Sequence, residues 1–320
     1  MSNLERRPEE RTCGGKSTQS ASPLPTLLEP REVPLGGPRA MTVRRTLPHK
    51  QIRTIGAWCF VDHYGPNRQT MAVPPHPHIG LQTVSWLISG DVEHRDSLGS
   101  HQRIRPGELN VMTAGRGIAH SEYSVGDEQV PLHGVQLWVA LTDEHRDQAP
   151  SFEHHASLPV VSDHGFTAIV MTGELAGAVS SATTFSPLFS AEVRLDSSSR
   201  VQLPVERDFE YAVLALDAPV TVNGSTVPHG NLQYLGWGNS QVELRSEAGV
   251  RLMVLGGEPL AEELLMWWNF VGRDHEEIVA ARDQWQSGDS RFGDVHGDDN
   301  ARLPAPPMPT TKLKPRASRP

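Results

Sequence analysis

Histidine is the residue whose placement says most about chemistry. Of fifteen, twelve fall between His49 and His164, so histidine-based chemistry belongs to the first half of the chain. The decisive segment is Pro74-Pro75-His76-Pro77-His78-Ile79-Gly80. In an extended strand the side chains at i and i+2 project to one face, so His76 and His78 point the same way. Pro77 stiffens the pair by fixing its own φ and biasing His76 toward extended backbone. It also lacks an N–H, which suits a strand edge or a barrel rim. His120-Ser121-Glu122 repeats the spacing. With its strand lying across a barrel from the first, the two pairs converge on one interior point and supply three imidazoles and a carboxylate. Such a set suits Fe(II), Mn(II), Ni(II) or Cu(II), and leaves up to two positions of an octahedral ion open for substrate or O₂.

A lone H-x-H pair is weak evidence, because surface histidines are common and the spacing arises by chance. Two such pairs among glycines and prolines are what carry the metal reading. The set contains no cysteine, which argues against a closed structural zinc site. Gly80 and Leu81 stand where a binuclear hydrolase of the H-x-H-x-D-H type needs Asp and His. His94 has two readings, a group that lines the pocket or supports the ligands, or a solvent-side histidine at a strand end. His63 is expected to pack and hydrogen-bond in a turn. His101, His133, His145, His154, His155 and His164 are expected on the surface or in loops. Cys59, between Trp58 and Phe60, reads as a small buried hydrophobe.

The elements that must position these groups are strands. Short apolar runs separated by Gly, Pro, Asn and Asp continue from Thr83–Ile88 to Val250–Leu255, an all-β pattern. Asn223-Gly224 marks a hairpin turn, since both residues tolerate φ > 0. Arg105-Pro106-Gly107-Glu108-Leu109-Asn110-Val111-Met112 is answered by Pro228-His229-Gly230-Asn231-Leu232-Gln233-Tyr234-Leu235, a weak internal repeat that predicts two copies of one β-barrel. The second copy offers Glu206-Arg207-Asp208-Phe209-Glu210 and Gly236-Trp237-Gly238-Asn239 where ligand pairs would fall, so it is expected to be metal-free and structural. One helix is predicted near the end. Asp274 caps it with Glu277 reaching back, Ile278, Ala281 and Trp285 form its apolar stripe, and Gly288 closes it. Trp267, Trp268 and Phe270 before it read as packing groups.

At roughly 100–200 residues per domain, 320 residues make one large domain or two ordinary ones. The expected division is a flexible arm over 1–37, an N-terminal barrel with the metal site over 38–155, a C-terminal barrel with the helix over 156–300, and a disordered tail over 301–320. No apolar run approaches the ~20 residues of a membrane helix, and the charged first twelve residues exclude a secretory signal. A net charge of 29 − 38 = −9 argues against direct nucleic-acid binding. Two cysteines, Cys13 and Cys59, make no disulfide framework, so the chain reads as cytoplasmic.

Five stretches resemble the pirin family of bicupins. They are Val43–Pro48, Phe60–Pro66, His76–Val84, Glu93–Gly99 and, most specifically, Met112–Glu122; the likeness runs from about residue 38 to 295 and weakens in the second half. It implies two antiparallel cupin barrels packed face to face, with a C-terminal helix after Trp267–Val271. It also implies iron ligands at His76, His78, His120 and Glu122. Iron(II) is then the expected ion, with manganese, nickel, cobalt or copper as alternatives. Where a usual cupin places its first-motif glutamate, this chain has Gln82 and Thr83, so the carboxylate comes from Glu122. The arm before residue 38 has no counterpart in the family.

The activity implied is that of a mononuclear metal dioxygenase similar to quercetin 2,3-dioxygenase. A flavonol hydroxyl would lose its proton to Glu122, acting as both ligand and catalytic base, and O₂ would open the ring with release of CO. The alternative implied by eukaryotic pirins is a redox-sensing regulatory protein acting through a protein partner. A metal-stabilised scaffold without catalysis is a third reading.

Overall fold

The computed structural model describes residues 24–35, 41–68, 70–126 and 130–319. Two barrels are present, each built from a seven-stranded and a four-stranded antiparallel sheet. The first barrel's large sheet runs, in spatial order, Ser151–His155, Leu109–Thr113, Leu81–Ser89, Leu132–Ala140, Trp58–Asn67, Met41–Leu47, Arg31–Leu35. Its small sheet runs Ala72–His78, Ile118–Val125, Asp91–Asp96, His101–Ile104. The second barrel repeats the plan. Its large sheet runs Thr26–Leu28, Leu232–Gly236, Glu210–Ala215, Val250–Gly257, Leu188–Leu195, Phe166–Thr172, Val160–Asp163, and Ser199–Pro204 opens its small sheet. The two members of the internal repeat, Leu109–Thr113 and Leu232–Gly236, occupy equivalent places, each following a glycine at positive φ, Gly107 (82°) and Gly230 (78°). Asn223 and Gly224, at φ 46° and 80°, turn the Val220–Val222 and Ser225–Val227 hairpin.

The barrels meet through their large sheets, which are therefore buried on both faces. Along Leu132–Ala140, Val135, Leu137 and Val139 join the core shared with Leu214, Met253 and Leu255 of the second barrel, while Gln136 and Trp138 alternate into the first barrel. Polar groups lock the junction. The indole Nε1 of Trp86 donates to the buried Glu192 carboxylate (2.7 Å), and that of Trp58 to the Gly256 carbonyl (3.0 Å). The Gly56 N–H donates to Glu210 (2.7 Å). Gly56 lies at φ 52°, and a Cβ there would sit 2.7 Å from the Gly257 Cα, so only glycine lets the barrels approach.

The predicted helix is His275–Ser287, with Asp274 accepting from the Glu277 N–H (2.8 Å) and Gly288 closing it at φ 75°. Glu277 reaches back to the Arg273 N–H (2.8 Å) rather than to its own cap. Ile278, Ala281 and Trp285 pack with Trp267, Trp268 and Phe270, as expected of packing groups, and also with Ile79 and Ala119. The helix thus covers the first barrel although it follows the second in sequence. Among the described residues, no helix is long and apolar enough to cross a membrane.

Three expectations need correction. The first concerns the arm: it contains the strands Thr26–Leu28 and Arg31–Leu35, because Leu28, Val33 and Leu35 find apolar surfaces to bury against. The rest of the expected arm, residues 1–23 and 36–37, lies outside the described residues, apart from Leu24 and Pro25. The second concerns the tail: residues 301–319 lie against the body, and Pro320 is outside the described residues. The Leu303 N–H donates to the Pro75 carbonyl (2.8 Å), Ala305 is buried, Leu264 and Arg316 pair their backbones, and Arg319 reaches Glu210 (3.3 Å). Its prolines bring no N–H groups that need partners, so an extended chain can lie on an apolar cluster at little polar cost.

The third is His133, which is buried rather than on the surface. His63, in the Trp58–Asn67 strand rather than a turn, takes a hydrogen bond from Arg44 at Nδ1 (3.3 Å) and faces the His133 Nε2 with its own Nε2 (2.9 Å). Burial, then the neighbouring cations, push His63 down to about 2 and His133 to about 4. Both are neutral when folded, whereas in the unfolded chain they take protons near pH 6.5. Stability is accordingly full above about pH 6.5 and falls as pH drops toward 4, because the unfolded state then binds protons that the folded state refuses. Thermal unfolding followed between pH 7.5 and 4.5 is expected to show a falling Tm, and the fall is expected to shrink in His133→Asn.

Candidate metal centre

The Ala72–His78 strand is the edge of the small sheet, as Pro77 suggested. Its neighbour is Ile118–Val125, so the two ligand pairs do not face each other across the barrel; they lie side by side on one sheet face. His76 is directly opposite His120, and Ile118 is opposite His78. The register then shifts, so that Glu122 pairs with Val73, the extra residue being taken up at Pro74-Pro75. On its other side, Ile118–Val125 sets His120 opposite Asp96 and Glu122 opposite His94.

The side chains converge. Ring centroids of His76 and His120 are 4.3 Å apart, of His78 and His120 5.0 Å, and of His76 and His78 5.1 Å. All three rings are fully buried, and Glu122 is buried with them. Ligand atoms of His76, His78 and His120 form one cluster within 4.8 Å, and those of His94, His120 and Glu122 form another, so His120 is common to both.

Tautomers follow from the neighbours. The Nδ1–H of His76 can only donate to the Pro74 carbonyl (2.9 Å), and that of His78 to the Asn269 carbonyl (3.0 Å). His94 gives its Nε2–H to Asp96 (3.1 Å), which leaves its Nδ1 to accept from the His120 Nδ1–H (3.3 Å). In each of the three rings, His76, His78 and His120, the proton is therefore on Nδ1 and the lone pair on Nε2. The Nε2 atoms of His76, His78 and His120 are buried with no hydrogen-bond partner. Burial holds all three well below the usual histidine range, and repulsion from neighbouring imidazoles adds to it at His76 and His120. They are neutral bases aimed at a common point, which is the state a metal requires. Asp96 is the anchor of the chain. Burial alone would raise its carboxyl, but bonds from His94 and the Ser100 N–H outweigh it and hold it below its ordinary value.

The Pirin family profile matches residues 40–139, and the Pirin C-terminal cupin domain profile matches residues 190–293. A Pseudomonas aeruginosa protein named "putative quercetin 2,3-dioxygenase" is 45% identical over 283 residues, covering 87% of this chain and 89% of its own. The chain belongs to the pirin family. Human pirin is 31% identical over 75% of this chain and 84% of its own. A crystal structure of quercetin 2,3-dioxygenase from Acinetobacter baumannii superposes with a TM-score of 0.86 at 38% identity, covering 92% of this chain and 98% of that one. The bicupin architecture of pirins is the one described above, and all four predicted site residues fall within the N-terminal pirin match.

Sequence reasoning left two contributors unnamed. Asp96 had a signal in the alternation Val92-x-His94-x-Asp96, whose three members are the buried positions of their strand. Asn269 had none, because it acts through its backbone carbonyl, presented by a hairpin turn in which Trp268 adopts φ 53°. His94 is buried and stacked on Phe152 (4.4 Å), which removes the solvent-side reading. Loss of an outer hydrogen bond that orients a ligating imidazole typically weakens metal binding about 10–100-fold. Asp96→Asn is expected to show such a loss of affinity for Fe(II) or Mn(II) in competition with a chelator, with the circular dichroism spectrum unchanged.

Proposed function

We propose that this protein holds one divalent transition metal, Fe(II) as the expected ion, on His76, His78, His120 and Glu122, and cleaves quercetin or a related flavonol with O₂. The observation that carries this reading is the convergence of three neutral, buried Nε2 lone pairs for which the protein supplies no donor. Leaving such groups unmet costs about 1–3 kcal/mol apiece, and a cation accepts all three. The names of the Pseudomonas and Acinetobacter relatives point to the same chemistry.

When bound, the ion would acidify a substrate hydroxyl and give O₂ a place beside it. The protein's own residues do the rest. Glu122, buried in the sheet face beside His120, takes the hydroxyl proton on a carboxylate oxygen. Asp96, through His94, fixes the His120 ring so that its geometry does not relax as charge moves. The apolar wall of Phe60 and Trp138, stacked at 3.9 Å, excludes water that would compete for the proton.

A regulatory reading, in which the metal's oxidation state is passed to a protein partner, draws on the complete burial of the three imidazoles. An aerobic assay separates the two. Quercetin added to protein loaded in turn with iron, manganese, nickel, cobalt or copper is expected to lose its flavonol absorbance with at least one metal; failure with all five overturns the dioxygenase and favours the regulator. Glu122→Gln is expected to lower kcat about 10²-fold or more. A variant that keeps its metal and turns over at the full rate would remove Glu122 as the base.

A further inference from the structure

The two barrels share one plan, which lets their interiors be compared residue by residue. Across the inner face of the first barrel's large sheet, the register aligns Asn110, Ser85, Gln136, Asp62 and Arg45 as a continuous transverse row. The repeat sets Asn110 against Gln233, and the equivalent row of the second barrel is Gln233, Val213, Val254, Ala191 and Val170. Four of those five are apolar and, glutamine aside, all belong to one packed core. The frame therefore has no structural need for polar groups along this line, yet the first barrel buries five.

Part of the row satisfies itself. Arg45 and Asp62 form a two-pronged ion pair (2.7 and 2.8 Å), His154 meets the Asn110 Oδ1 (2.9 Å), and the Ser85 hydroxyl donates to the Gln136 Oε1 (2.9 Å). Three donors remain: the Asn110 Nδ2, the Gln136 Nε2 and, two residues along the same strand face, the Trp138 Nε1. These residues are only 2%, 1% and 1% exposed. Turning either amide over exchanges which end is left over without satisfying it. The Trp138 ring stands edge-on 5.2 Å from His78, so the row is continuous with the histidine cluster.

We propose that Asn110, Gln136 and Trp138 are specificity-determining residues that donate to the oxygen atoms of a flat, polyoxygenated aromatic ligand bound inside the first barrel. The spacing fits this class. Asn110 and Gln136 are two strands apart, or ~10 Å, and Trp138 is two residues further along, or ~7 Å, the dimensions of two or three fused or linked rings. Trp138, backed by Phe60 at 3.9 Å, supplies an aromatic wall, and the ion pair at the row's end cancels its own charge, so the site favours a neutral ligand rich in acceptors. The inference rests on the dioxygenase reading only in that the ligand reaches the histidines.

The test is quercetin binding to the metal-loaded protein without oxygen, read by quenching of tryptophan fluorescence, followed by turnover in air. Gln136→Met and Asn110→Leu are each expected to weaken binding about tenfold, the usual consequence of losing one buried hydrogen bond. KM is expected to rise by the same factor, with kcat and metal content little changed. If either variant fails to fold, Trp138→Phe removes the third donor while keeping a ring. Affinities within twofold of wild type in the variants, or no quercetin binding by the wild type, overturn the proposal. Weakened binding without turnover by any protein leaves this proposal standing and removes the dioxygenase; unaltered variants that turn over normally do the reverse.

Discussion

The structure turns on where three protons sit. Each of His76, His78 and His120 has its Nδ1–H committed to a fixed acceptor, and that commitment forces the lone pair of Nε2 toward a shared interior point. Solvent cannot relieve the arrangement, because the rings are fully buried. Every irregularity nearby serves it. Pro74 and Pro75 take up the extra residue that shifts Glu122 against Val73, the Trp268 turn presents the Asn269 carbonyl, and Asp96 holds His94 as the acceptor that His120 needs. Unmet polar nitrogens in an apolar interior are unfavourable, so the surrounding packing has to hold them there. The helix over Ile79 and Ala119 and the second barrel behind the large sheet supply that packing.

The repeat has diverged by division of labour. The second barrel fills its interior with valine, leucine and alanine and gives its outer face to the junction, where Glu192 and Glu210 receive donors from Trp86 and Gly56 of the first. The first barrel's large sheet is consequently clamped from behind. Its inner face can carry polar side chains in fixed positions, since the apolar burial that stabilises the sheet comes from the other side.

The sequence made the two candidate pairs readable, because a period of two assigns His76 with His78, and His120 with Glu122, to common faces whatever the strands do. It did not reveal that the two strands are neighbours. Spacing fixes a face, not a partner, and the pairing depends on the register shift at Pro74-Pro75. The core strands and the capped helix were legible for the same local reason. The arm and the tail were not: their proline and charge read as solvated chain, while Leu28, Val33 and Ala305 are held by surfaces formed elsewhere in the fold. His133 was missed likewise, since nothing beside it in sequence announces His63.

The strand Thr26–Leu28 belongs to the second barrel, pairing with Leu232–Gly236, whereas Arg31–Leu35, only three residues on, belongs to the first. Two consecutive segments are thus stitched into different halves of the molecule. The second half of the polypeptide therefore lacks one strand of its own barrel, which the amino-terminal end supplies. The edge that precedes both barrels in the chain has no seat until residues beyond 230 have been made, so at this seam assembly must run against the direction of translation.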